Sequence, residues 1–134
     1  MRGRENKDQE TDRWERKDWW GVVLEAPDPH ALLVFWSQLL DKPIYSESPE
    51  GGALDFGEGV AYLSVQKAEV YEPPVWPPEP GRQGMQLHLD IEVSDLESAV
   101  AHAVELGATT AEFQPQEDVR VMLDPAGHPF CLYS

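Results

Sequence analysis

The segment Gln86-Leu87-His88-Leu89-Asp90-Ile91-Glu92-Val93 alternates polar and apolar residues without a break. That is the period of a strand with one wet face and one buried face. It places His88, Asp90 and Glu92 together, with Leu87, Leu89, Ile91 and Val93 behind them. An imidazole that titrates near neutrality, two residues from a carboxylate, can move protons. His88 and Asp90 are therefore the candidate catalytic pair. The same imidazole could ligate a metal or simply contact a ligand, and on a solvated surface it would do neither.

Other residues join the candidate set. Glu25 falls on the polar face of an earlier strand and, like Asp90, could hold a cation. Cys131 could be a thiolate ligand or nucleophile, whereas a lone cysteine in an apolar strand is more often packing. Trp76 sits among prolines that stiffen the chain around it. It could stack on a planar or cationic ligand, or pin the loop to the domain. Arg120 is one of very few cations and would be available to an anionic group.

Charge narrows the partners. The chain has 134 residues, 41% hydrophobic, and a net charge of −15. Residues 1–18 carry six basic and six acidic side chains, so the excess negative charge belongs to residues 19–134. There only Lys42, Lys67, Arg82 and Arg120 are basic, against nineteen acids. Four scattered cations neutralise few phosphates, which argues against nucleic acid and anionic membranes. A neutral or cationic small molecule suits the field. One cysteine excludes an internal disulfide. No apolar run reaches membrane-span length and the N-terminus has no apolar signal core, so the expected location is cytoplasmic.

Several elements must position these groups. Met1–Asp18 reads as a charged, flexible tail, although Trp14, Trp19 and Trp20 would allow its end to dock. A strand is expected over Gly21–Glu25. Asp28-Pro29 is a cap followed by proline at the first helical position, and Leu32, Leu33, Phe35, Trp36, Leu39 and Leu40 follow at helical spacing. Strand pieces are expected at Ile44–Glu47, Ala53–Phe56 and Val60–Gln66. A proline-rich connector over 71–84 follows. After the strand at 86–93, Ser94 and Glu97 form a capping box for a helix that runs to Leu106 and ends at Gly107. Further strands are expected at Thr109–Phe113, Val119–Leu123 and Pro129–Tyr133, the last two joined by Asp124-Pro125-Ala126-Gly127.

Strand, helix and three strands thus occur twice, at an offset of 67 residues that lays Asp28 on Asp95 and Gly21 on His88. The expected fold is α+β. Two βαβββ modules, about 19–70 and 85–134, form a curved mixed sheet with a concave groove and the helices outside. Such a groove is a natural small-molecule site.

In this order, Ala26-Pro27-Asp28-Pro29, Pro74-Val75-Trp76-Pro77, Met85-Gln86-Leu87-His88-Leu89-Asp90 and Asp124-Pro125-Ala126-Gly127-His128-Pro129-Phe130 give the chain a family likeness. Over residues 20–133 it resembles the vicinal oxygen chelate superfamily of glyoxalases, ring-cleaving dioxygenases and bleomycin resistance proteins. The resemblance is to a small glyoxalase-like branch common in actinobacteria. It implies ligands from the first and last strands of each module around a divalent ion that acts as a Lewis acid. Carried over, the first-strand positions fall on Gly21 and His88. The last-strand positions fall on Ser64 or Gln66 and on Cys131, where a glutamate is expected. His88 and Gln66 are the metal candidates, with Asp90 able to assist, and the implied cofactor is none or a weakly held divalent metal. Glu25, Gln66, Trp76, His88, Asp90, Arg120 and Cys131 are the candidate ligand-binding set. The expectation is a homodimeric small-molecule-binding protein of the sequestering or resistance kind. The alternatives are a lyase, isomerase or dioxygenase using His88 and Asp90, and an interaction module with a vestigial groove.

Overall fold

A computed structural model describes residues 2, 4, 11–57 and 59–134. The chain divides into two compact units, Met1–Lys67 and Ala68–Ser134. In the first, β1 (Trp20–Ala26) leads into α1 (Pro29–Leu39), and then β2 (Ile44–Ser48), β3 (Gly51–Leu54) and β4 (Ala61–Lys67) follow. The second repeats the plan with β5 (Leu89–Glu92), α2 (Leu96–Glu105), β6 (Thr109–Thr110), β7 (Val119–Leu123) and β8 (Pro129–Tyr133). Each unit forms one four-stranded mixed sheet, ordered β1-β4-β3-β2 and β5-β8-β7-β6. The first and last strands of each run parallel and the other pairs antiparallel. The two βαβββ modules read from the sequence are therefore present, with the same internal order.

Local chemistry explains the elements. Asp28 accepts from the Ala31 amide at 3.0 Å and Pro29 takes the first turn of α1, where its missing N–H costs nothing. The helix buries Leu32, Leu33, Phe35 and Trp36, with the Phe35 and Trp36 rings edge to face. Against it lie Leu24, Ala26, Leu54, Leu63 and Val65, all buried and all from one face of the first sheet. In the second unit Ala103, Met122, Phe130 and Leu132 are buried. Gly107 ends the region of α2 with φ +111°, a conformation that side chains resist.

Several boundaries differ from expectation, among them β3, which runs over Gly51–Leu54 rather than Ala53–Phe56. Strand β5 begins at Leu89, and Leu87 is 60% exposed rather than buried. The ladder starts at Leu89 opposite Phe130, so its next rung would set His88 against Pro129, which has no amide hydrogen. The cap of α2 is Asp95, not Ser94: its carboxylate accepts from the Ser98 amide at 3.0 Å, one residue further on than the expected box. Strand β6 stops at Thr110 because Gln114 takes over the rungs of β7. Its amide donates to the Ala111 and Val121 carbonyls and accepts from the Val121 amide.

The flanking segments are tied down individually. The connector groups with the second unit, through a bridge between Val75 and Gly84 and through Tyr71, whose hydroxyl donates to the Ala126 carbonyl at 2.8 Å. At the other end, residues 1, 3 and 5–10 of the expected tail lie outside the described residues. From Asp12 onward that segment is anchored to the first unit. Arg13–Glu15 forms a 3-10 turn, Arg13 pairs with Asp55 at 3.0 Å, and Arg16 grips the buried Asp18 with two nitrogens.

Candidate functional site

Register decides which side chains meet. In the second unit Asp90 pairs with Cys131 across the parallel β5–β8 ladder, so both point to the face away from Phe130 and Leu132. His88 precedes β5 by one residue, and its Nε2 lies 3.1 Å from Oδ1 of Asp90. The nitrogen, carboxylate oxygen and sulfur of His88, Asp90 and Cys131 lie within 4.8 Å of one another. Cys131 is half-buried, and burial pushes its thiol up to about 11, reinforced by the negative charge and hydrogen bond of Asp90. At neutral pH the Cys131 thiol is therefore protonated, and the trio can bind a polar or cationic group but offers no ready nucleophile.

The equivalent place in the first unit is different. Gly21 pairs with Tyr62, Val23 with Ser64 and Glu25 with Gln66. The Tyr62 ring lies so close over Gly21 that a Cβ there would sit 2.5 Å from it. Gly21 thus supplies no donor, and its glycine is what admits the ring. Nearby, the Gln66 amide donates to Glu25 at 2.8 Å, and both side chains are exposed. The expected set is thereby divided into Glu25 with Gln66 on one unit and His88, Asp90 and Cys131 on the other.

Two expected contacts are engaged elsewhere. Arg120 pairs with Leu132, which puts it on the opposite face of its sheet from Asp90. Its guanidinium donates to the Glu117 and Val119 carbonyls at 2.8 and 2.9 Å. Trp76 donates its indole N–H to the Phe113 carbonyl at 3.1 Å, with the two rings 6.2 Å apart, so it fastens the connector to its own unit.

The donors fit a chelated ion only in part. A set drawn from both modules fails at Gly21. His88, Asp90 and Cys131 by themselves offer nitrogen, oxygen and sulfur, the mixture that zinc-like ions accept, in the number a catalytic site uses.

Sequence reasoning missed one feature. A cavity of about 250 Å³ in the first unit is lined by Arg13, Trp14, Trp19, Tyr45, Ser46, Ala53, Leu54, Asp55 and Tyr62. The cluster of tryptophans at the end of a charged segment was its only trace in the sequence.

Two βαβββ units with parallel first and last strands, and polar side chains gathered on the sheet face away from each helix, define the glyoxalase-type architecture. Residues 21–133 match the glyoxalase-like domain, and the chain belongs to that family. The fold is shared with a glyoxalase/bleomycin resistance protein/dioxygenase family enzyme from Burkholderia phytofirmans, at 18% identity and a TM-score of 0.62 over 84% of this chain and 94% of that one. Protein ATC0852 from Agrobacterium tumefaciens is similar at 18% identity and 0.63, over 85% and 93%. The fosfomycin resistance protein FosX from Mesorhizobium loti is similar at 12% identity and 0.62, over 88% and 92%. No curated protein matches the chain.

Proposed function

We propose that this protein binds a small polar or cationic organic molecule and sequesters it, without relying on a tightly held catalytic metal. The observation that carries this reading is Gly21 under the Tyr62 ring, which removes a donor from the two-module ligand set. Asp90, Glu25 and Glu92 are exposed carboxylates on sheet faces with few cations to compete for them. Such groups favour a positively charged guest. A homodimer and a cytoplasmic location complete the proposal. Among the described residues no helix is long and apolar enough to cross a membrane. The likeness in fold to proteins named for glyoxalase and for antibiotic resistance is compatible with a protective role.

A second reading rests on the His88–Asp90–Cys131 cluster. If these three hold a divalent ion, the ion supplies Lewis acidity. His88 and Asp90 would then orient a substrate and hold or accept its proton as an isomerase, lyase or dioxygenase requires.

One experiment separates the two readings. The purified protein is incubated with zinc, manganese, iron or nickel salts, desalted and analysed by mass spectrometry for metal. In parallel, quaternary ammonium ions and diamines are titrated into it by calorimetry. The first reading expects far less than one metal per chain, with saturable binding of a cation that falls about tenfold in Asp90→Asn. Near-stoichiometric metal that is lost in His88→Ala overturns it in favour of the second.

A further inference from the structure

We propose that the cavity walled by Trp14, Trp19, Tyr45 and Tyr62 is a binding site for a small, flat, uncharged aromatic molecule whose hydrogen-bond acceptor is held by Arg13. The site lies wholly in the first unit and does not rest on the reading above. Its Arg13, Trp14 and Trp19 precede residue 21, where the family match begins, and they close over Tyr45, Ala53 and Tyr62, which lie within it.

Shape sets the ligand's size and flatness. A volume of about 250 Å³ falls just below the range of drug-sized pockets, which leaves room for one or two rings. Trp14 is stacked with Trp19 at 5.8 Å and 26°, and with Tyr45 at 5.1 Å and 21°. Near-parallel rings present faces that another ring can join. Yet Trp14 and Tyr45 remain 54% and 59% exposed, a large aromatic surface left in contact with water.

Arg13 sets the polarity. Its guanidinium lies 4.7 Å from the centre of the Trp14 ring and 5.0 Å from that of Trp19, and one terminal nitrogen pairs with Asp55 at 3.0 Å. Its Nε, by contrast, is buried with no hydrogen-bond partner. An unmet buried donor is costly, and a carbonyl or ring-nitrogen acceptor on a ligand would relieve that cost. The charge of Arg13 is already balanced by Asp55. A carboxylate ligand would add negative charge to a strongly acidic protein, and a cation would have to compete with a tethered guanidinium for Asp55. An uncharged acceptor meets neither penalty.

Position supports the assignment. Tyr62, Ala53 and Ser46 occupy one face of the first sheet, linked by the pairings of Ala53 with Ser64 and with Ser46, and that face is the one Gly21 and Gln66 share. The grip of Arg16 on buried Asp18 fixes the segment that carries Arg13 and Trp14 against the same unit.

The test uses the full chain and calorimetric titration with benzamide, benzoate and benzamidinium as probes. Benzamide is expected to bind saturably, and in Asp90→Asn, which removes the cation site proposed above, more tightly than the two charged probes. Arg13→Lys keeps the pairing charge for Asp55 but removes Nε, and Tyr45→Ala removes an exposed ring whose loss leaves the core intact. Each is expected to weaken benzamide about tenfold while circular dichroism stays unchanged. Asp90→Asn is expected to leave benzamide binding unaltered, which separates this site from the cation site proposed above. Absence of saturable benzamide binding, a preference for benzamidinium that persists in Asp90→Asn, or wild-type affinity in Arg13→Lys would each overturn the proposal.

Discussion

Asp90 governs two neighbours at once. It lies 3.1 Å from His88 and faces Cys131 across the ladder, so one negative charge holds an imidazole on one side and discourages a thiolate on the other. With the thiol pushed up to about 11, only about one molecule in a thousand carries a thiolate at pH 8. Alkylation of Cys131 by iodoacetamide should be correspondingly slow. In Asp90→Asn the repelling charge disappears, and the rate at pH 8 is expected to rise about three- to tenfold. Cys131 is the only cysteine, so intact-mass spectrometry of chelator-treated protein reads the reaction directly. An unchanged rate would mean that burial by itself holds the proton. His88 and Asp90 were legible as a pair from the alternation of a single segment. Cys131 joined them through the family resemblance, which sets it on the last-strand position, because no local pattern encodes the register of a strand forty residues away.

At the level of elements, the turn between β7 and β8 does more than reverse the chain. Asp124 is fully buried and accepts from the Ala126 and His128 amides at 3.0 and 2.9 Å, and its second oxygen lies 2.9 Å from His128 Nδ1. Tyr71 then reaches from the connector to both the Ala126 carbonyl and His128. A motif that reads as a plain turn is thus the anchor of the proline-rich segment. Asp124→Ala strands several buried donors and is expected to cost about 2–4 kcal/mol in denaturant unfolding, against about 1 kcal/mol for Tyr71→Phe. Equal small losses would show the network to be peripheral. The elements that were legible had strong local punctuation, such as Asp28-Pro29 before α1 and Gly107 after α2. The start of β5 and the cap of α2 were less so. Pro129 on another strand decides the first, and adjacent Ser94 and Asp95 compete for the second with partners three residues ahead of each.

For the whole molecule, two opposing responses to acid follow from its charge. A net charge of −15 repels itself at neutral pH, and protonation of exposed carboxylates relieves that repulsion as the pH falls toward 5. His30 acts in the same direction. Glu47 raises its affinity for a proton, so its contribution is present at low pH and is lost as the pH climbs through its raised value. Asp18, Asp55 and Asp95 act in reverse. Arg16 holds Asp18 down, the Gly57 amide and then Arg13 hold Asp55 down, and the Ser98 amide and hydroxyl hold Asp95 down. Groups lowered in this way stabilise the folded chain above the ordinary carboxylate range, and that contribution is lost as the pH drops through their folded values. The melting temperature is therefore expected to rise between pH 8 and about 5, and to fall below about pH 4. Added salt at pH 8 should reproduce the rise, because screening relieves the same repulsion. Two of the three lowered acids hold the segment that carries Trp14 and Trp19, so the fall should be accompanied by a red shift of tryptophan emission as those rings meet water. A melting temperature that declines steadily from pH 8 downward would mean that particular carboxylate contacts outweigh the net charge throughout.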